Sequence, residues 1–113
     1  MSVYIVYQWS IRPEDSERCN DQLERIAGHV GKDHPEILGV RTFIQSTGPL
    51  PRRAYIWWEE WPSLTTLEED EGTPLCMELW KPIEAMAQAG TWTSSMWLDA
   101  PPAAQFTRGA ASP

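Results

Sequence analysis

Positive charge, histidine and cysteine are all scarce in this chain, and each scarcity excludes something. Nine Lys and Arg stand against sixteen Asp and Glu, a formal net charge of −7. That balance argues against nucleic acid or an anionic membrane as the main partner. The basic cluster is Arg52-Arg53, with Arg41 as a candidate neighbour, and a doublet in a loop reads as solvated. No run approaches the roughly 20 apolar residues of a membrane span. The start, Met1-Ser2-Val3-Tyr4, has neither a basic region nor a long apolar run, so no signal peptide is read and the expected address is the cytoplasm. The two cysteines, Cys19 and Cys76, have no CxxC partner and no His at metal-ligand spacing; they read as buried thiols rather than a disulfide. The two histidines, His29 and His34, fall together at the end of one predicted helix and read as solvated or helix-terminal. Without a Ser/His/Asp set, a phosphate-binding Gly loop or His/Cys metal spacing, hydrolase, kinase and metalloenzyme readings drop away.

What the chain has in excess is tryptophan: seven in 113 residues, more than plain packing requires. The length suits one domain. The densest aromatic stretch is Tyr55-Ile56-Trp57-Trp58-Glu59-Glu60-Trp61. Read as a strand, it puts Tyr55, Trp57, Glu59 and Trp61 on one face and Ile56, Trp58 and Glu60 on the other. Neither face is polar, so each needs a cover. The first face also sets a carboxylate between two indoles, roughly 7 Å along the chain from each. If that face meets helices, Glu59 must hydrogen-bond, with Tyr7, Tyr55 or an indole N–H as candidates, or titrate with a raised pKa.

Around this stretch the periodicities predict a simple chain. Val3 to Ile11 is a strand with Val3, Ile5, Tyr7, Trp9 and Ile11 on one face. Pro13 and the following acidic residues open a helix over about residues 14 to 31, with Cys19, Leu23, Ile26, Ala27 and Val30 at helical spacing and Gly31 as its stop. Gly39 to Ser46 is a second strand, and the breakers Thr47-Gly48-Pro49-Leu50-Pro51 turn it into the aromatic one. Ser63 caps a short helix closed by Gly72. Thr73-Pro74 start another, bent at Pro82 and ended by Gly90. Thr91 to Asp99 is the last strand. The domain is thus expected over residues 1–99, with 100–113 a disordered or arm-like tail.

Strand, helix, strand, strand, helix pair, strand is a βαββαβ order. It predicts an α+β, ferredoxin-like fold with an antiparallel four-stranded sheet and helices on one face. The other face, carrying Ile56, Trp58 and Glu60, would stay bare. A second copy of the sheet packed face to face is the economical cover, so a homodimer is expected.

Over about residues 3 to 99 the chain resembles the antibiotic-biosynthesis monooxygenase-like proteins of the dimeric α+β barrel superfamily. The residues that carry the resemblance are Glu59-Glu60-Trp61-Pro62-Ser63-Leu64-Thr65-Thr66-Leu67, which match a Glu-x-Trp-x-Ser-x-x-x-Leu junction. Thr73-Pro74, Lys81-Pro82-Ile83 and Arg12-Pro13-Glu14 match further turns and helix positions. The chain departs from the pattern at Asp70 and Leu75, where the family often has His. Haem-degrading members use a His on that helix and an Asn on the first strand. By position these would fall at Asp70 or Glu71 and at Tyr7, so the resemblance implies no haem chemistry. What it implies instead is a dimeric α+β barrel whose pocket lies between sheet and helices, oxidising an aromatic phenol, anthrone or polyketide-like substrate with no haem, flavin or metal.

Such chemistry asks for a base, a dry aromatic slot and a donor to an oxyanion. Glu59, Tyr7 and Trp61 are the expected catalytic residues. Trp57, Tyr55, Trp9, Trp80 and Asp70 are expected against the substrate, with Trp92 as a further stacking wall. The same inventory suits a cofactor-free polyketide cyclase or isomerase, or a non-catalytic dimer that binds a small molecule. Whether the chain is an enzyme therefore stays open on sequence alone.

Overall fold

A computed structural model describes residues 1–46 and 53–108. Its elements are β1 (Val3–Ile11), a 3-10 turn (Pro13–Asp15), α1 (Ser16–Asp33), β2 (Gly39–Ile44), β3 (Arg53–Trp61), α2 (Leu64–Glu69), α3 (Pro74–Met86), β4 (Thr93–Leu98) and a second 3-10 turn (Pro102–Ala104). The four strands form one antiparallel sheet in the order β2-β3-β1-β4. This is the expected ferredoxin-like α+β arrangement.

The pleat of β3 sorts its aromatics as the alternation predicts. Tyr55, Trp57, Glu59 and Trp61 are buried, and Ile56, Trp58 and Glu60 are half-buried. Antiparallel pairing sets Tyr7 opposite Trp57, Trp9 opposite Tyr55 and Val3 opposite Trp61. One sheet face therefore presents a block of indole and phenol rings to the helices. Against it α1 buries Cys19, Leu23, Ile26 and Val30, a helical stripe, and α3 buries Cys76 and Ile83.

Helix ends follow their caps where those are local. Ser63 and Thr66 form a reciprocal capping box on α2. Thr73 Oγ1 accepts the Cys76 N–H at 3.3 Å, with Pro74 in the first turn of α3. Three expected ends move for tertiary reasons. The first helix passes Gly31 and runs to Asp33, whose Oδ1 accepts the Thr73 N–H at 2.6 Å. The short α2 ends at Glu69 rather than Gly72, because Asp70 turns extended and its carboxylate bonds His34. The third helix contains Pro82 and ends at Met86, before Gly90, as Gln88 N–H is taken by the Ser10 carbonyl at 2.8 Å. Gly90 instead makes the turn into β4, with φ +77°. The second and fourth strands are each trimmed at their outer ends.

Among the described residues no element packs over the sheet face away from the helices. There Tyr4 stacks on Trp58 at 5.0 Å and Phe43 lies 6.3 Å from Trp58. Trp97 on the same face is 59% exposed. No described helix is long and apolar enough to cross a membrane. The predicted turn at residues 47–51 lies outside the described residues, as do Arg52 of the basic doublet and residues 109–113 of the tail. The described part of the tail is exposed.

Candidate functional site

On the helix side of the sheet, a cavity of about 350 Å³ opens between β1, β3, the end of α1 and the start of α3. Its lining includes Ile5, Tyr7, Glu59, Trp61, Trp80 and Ser94, together with Asp33, His34, Asp70 and Cys76. A larger depression of about 530 Å³ lies elsewhere, among Arg12, Asp15, Arg18, Gln22 and the end of α3. Its charged groups are already paired, with Arg12 and Arg18 both donating to Asp15, and it has no aromatic wall. The smaller cavity is the one that gathers aromatic rings and ionisable side chains.

Glu59 sits at the cavity wall with only 7% of its surface exposed. The indole N–H of Trp57 donates to its Oε2 at 2.9 Å, and that of Trp61 to its Oε1 at 3.2 Å. Both donors come from the i±2 positions of one strand face, so the pleat builds the clamp without any distant residue. Of the outcomes open to a buried carboxylate here, the structure shows hydrogen bonding, with two indoles as the partners. Each oxygen keeps acceptor capacity beyond its one indole bond.

Tyr7 stands next to this carboxylate, edge-on to Trp80 at 5.6 Å and stacked on Trp92 at 5.6 Å. Burial pushes its hydroxyl up to about 12, with the charges of Glu59 and Cys76 adding to the shift. It therefore keeps its proton at neutral pH and is a hydrogen-bond donor. Trp80 is the hub of the ring cluster, edge-on to Trp57 at 5.0 Å and to Trp9 at 6.0 Å.

Sequence reasoning passed over the opposite wall. His34, the residue after α1, is not a solvated end group: its side chain is 16% exposed and its ring lies edge-on to Trp61 at 5.6 Å. Its Nδ1 meets Asp70 Oδ2, and its Nε2 lies 3.0 Å from Asp33 Oδ2 and 3.9 Å from Cys76 Sγ. Gly72 allows this packing, since a Cβ there would come 3.2 Å from the imidazole Cε1. No histidine stands at metal-ligand spacing from Cys76 along the sequence; the fold brings His34 beside it from 42 residues away. Asp33, His34 and Cys76 offer three donor atoms within 4.8 Å of one another, the one such group of metal-ligand type among the described residues. Burial works to raise the Asp33 pKa, but the Thr73 hydrogen bond, the nearby Cys76 thiol and the neighbouring His34 outweigh it and hold the carboxyl below its usual value. Burial first, then Asp33, pushes the Cys76 thiol up to about 12.

Of the residues singled out in the sequence, Glu59, Tyr7, Trp61, Trp80 and Asp70 meet at this cavity. Trp57 reaches it through its bond to Glu59. Trp9 and Tyr55 do not line it. They share the face but lie further along the strands under α1, stacked on each other at 5.7 Å, with the Tyr55 hydroxyl donating to Asn20 Oδ1 at 2.6 Å. Both are fully buried core. Trp92 stacks on Trp9 at 5.2 Å behind Tyr7.

No family model matches the chain, and no curated protein matches it. Solved structures do. An antibiotic biosynthesis monooxygenase superimposes with a TM-score of 0.68 at 20% identity, over 88% of this chain and 99% of that one. A variant of SnoaB, a cofactor-independent oxygenase from Streptomyces nogalater, gives 0.67 at 12% identity, over 92% and 98%. A dimeric protein of ferredoxin-like fold from Bacteroides fragilis gives 0.64 at 8% identity, over 85% and 94%. At these identities the likeness is one of fold, and it is the fold of the family that the Glu59–Leu67 junction resembles.

Proposed function

We propose that the cavity holds a flat, acidic aromatic molecule of phenol, anthrone or polyketide-like type, and that the protein is a monooxygenase on it with no redox group of its own. The observation that carries this reading is Glu59, a buried carboxylate at the wall of an aromatic cavity, oriented by two indole N–H groups. We assign it the role of base. It takes a proton from an activated CH₂ of the substrate, and the carbanion passes electrons to O₂. Carbon–oxygen bond formation gives a hydroperoxide, and loss of water leaves a carbonyl, so that CH₂ and O₂ become C=O and H₂O. Tyr7, a neutral phenol at physiological pH, donates to the oxyanion formed when the first proton leaves. Trp61 and Trp80 hold the ring system, and Asp70 acts through His34.

The working unit in this reading is a homodimer, with the Tyr4, Trp58 and Phe43 face covered by its copy. Support comes from the uncovered apolar face and from the fold neighbour described as dimeric. The cytoplasmic setting belongs to the same proposal. The experiment is oxygen consumption by the purified protein with an anthrone, measured against product formed. Stoichiometric uptake that stops in the absence of protein supports the reading. Product formed equally well without oxygen would replace it by a cyclase or isomerase, and tight binding with no turnover by a binding protein.

A further inference from the structure

We propose that Asp33, His34 and Cys76 form a binding site for one zinc-type divalent cation, held by a carboxylate oxygen, an imidazole nitrogen and a thiolate. No such site follows from the oxygenase reading, and this one stands without it.

The first support is the orientation of His34. Its Nδ1 is engaged with Asp70, and in the tautomer that carries the proton on that nitrogen Nε2 presents a lone pair. A carboxylate behind the far nitrogen is the usual support of a metal-bound histidine, since it orients the ring and raises its basicity. The second support is independent of it. Asp33 is buried, with its side chain 4% exposed, and its Oδ2 has no hydrogen-bond donor although Oδ1 accepts from Thr73. Oδ2 lies 3.0 Å from His34 Nε2, but in a direction that makes no hydrogen bond. A doubly protonated imidazole shared between Asp33 and Asp70 would leave this oxygen without a donor. A cation in front of Nε2, Oδ2 and Sγ satisfies all three.

Distances agree with one shared ion. Zinc bonds of about 2.0–2.1 Å to nitrogen and about 2.3 Å to sulfur put tetrahedral N and S ligands roughly 3.5 Å apart. The observed Nε2 to Sγ separation is 3.9 Å and Nε2 to Oδ2 is 3.0 Å, on either side of that spacing, with all three donors within 4.8 Å of one another. Charge agrees as well. The cavity lining holds three carboxylates, Asp33, Glu59 and Asp70, against His34 alone, with neither Lys nor Arg. Buried carboxylates without a compensating cation are costly. A thiolate, an imidazole and one carboxylate favour zinc over magnesium or calcium, which take oxygen ligands. Three protein ligands leave a fourth position, and all three line the cavity, so that position is open to a water or a ligand oxygen. Zinc carries no redox chemistry and adds no electron to the reaction proposed above. On binding, the thiol gives its proton to solvent and its sulfur lone pair to the ion.

The test uses the full chain, free of any affinity tag and stripped by a chelator, with Co²⁺ as the probe. The expected result is uptake of one equivalent, with the intense visible bands of a tetrahedral site and a thiolate-to-cobalt charge-transfer band, all removed by adding Zn²⁺. Cys76→Ser should lose the charge-transfer band. Asp70→Asn, which leaves all three ligands in place, should weaken zinc roughly ten- to a hundredfold. Circular dichroism checks that each variant is folded, and Asp70→Asn keeps the test decisive if Cys76→Ser does not fold. A folded wild-type protein that takes up no cobalt overturns the proposal. So does a six-coordinate spectrum without the thiolate band, or zinc affinity unchanged in Asp70→Asn. Because the readout is binding, its failure leaves the oxygenase reading untouched, and the converse holds.

Discussion

Replacing Trp61 by Phe removes one of the two N–H donors to Glu59 and keeps a ring in the same slot. The carboxylate then retains the 2.9 Å bond from Trp57 and loses the 3.2 Å bond from Trp61. A hydrogen bond to a charged group contributes about 1.5–3 kcal/mol, and the acceptor left behind is buried. The smaller ring adds a packing loss of about 1 kcal/mol, since His34 packs edge-on against the indole. The expected loss is therefore about 2.5–4 kcal/mol in urea unfolding, read as a fall in the midpoint at unchanged slope. Trp58→Phe, whose ring lies on the other sheet face and has no bond to Glu59, is the control and should lose about 1 kcal/mol or less. A double-mutant cycle isolates the bond itself. With Glu59→Gln in the background the amide can accept from only one indole and turns its NH₂ toward the other, so Trp61→Phe should then cost at least about 1 kcal/mol less. Additive effects within about 0.3 kcal/mol would refute the clamp.

Other expectations concern pH, assembly and thiol chemistry. The Tyr7 hydroxyl is raised from 10.0 to about 12 and the Cys19 thiol from 9.0 to about 11, both chiefly by burial. The unfolded chain thus loses these protons first, so the stability they contribute is whole below pH 9 and falls as pH rises toward 11–12, which urea midpoints across that range will show. Trp58→Asp places a charge at the centre of the bare sheet face and should convert a dimer into a monomer in sedimentation at micromolar concentration. A variant that stays dimeric would move the interface elsewhere. In the folded protein Cys19, buried beneath Trp9 and Tyr55, should alkylate far more slowly at pH 8 than in urea. Equal rates would mean that the core opens freely.

The parts of this molecule that could be read from sequence are those whose causes are local. The β3 face assignment followed from the pleat alone, and the Ser63 and Thr73-Pro74 starts followed from cap chemistry. The indole clamp was half visible, because Trp57, Glu59 and Trp61 share a face by parity, though the hydrogen bonds depend on how the rings turn. Parity gives the face of a residue but not its place along the strand, and so Trp9 and Tyr55 were grouped with a cavity that ends before them. His34 had no local signal at all. Its partners Asp70 and Cys76 lie 36 and 42 residues away and reach it only because α1 outruns Gly31 and packs on the start of α3. Asp70 is legible in the sequence as a departure from the His of the similar motif and as a candidate substrate contact, but its partner His34 is named only by the fold.

Oxygen uptake by the wild-type protein and by Glu59→Gln, with one anthrone substrate and with binding measured separately, tests the central claim most directly. Wild type is expected to consume one O₂ per product. Glu59→Gln should stay folded and bind the same molecule, with turnover lower on the order of a hundredfold or more. Full activity in Glu59→Gln would contradict that claim and make the carboxylate a structural acceptor for two indoles.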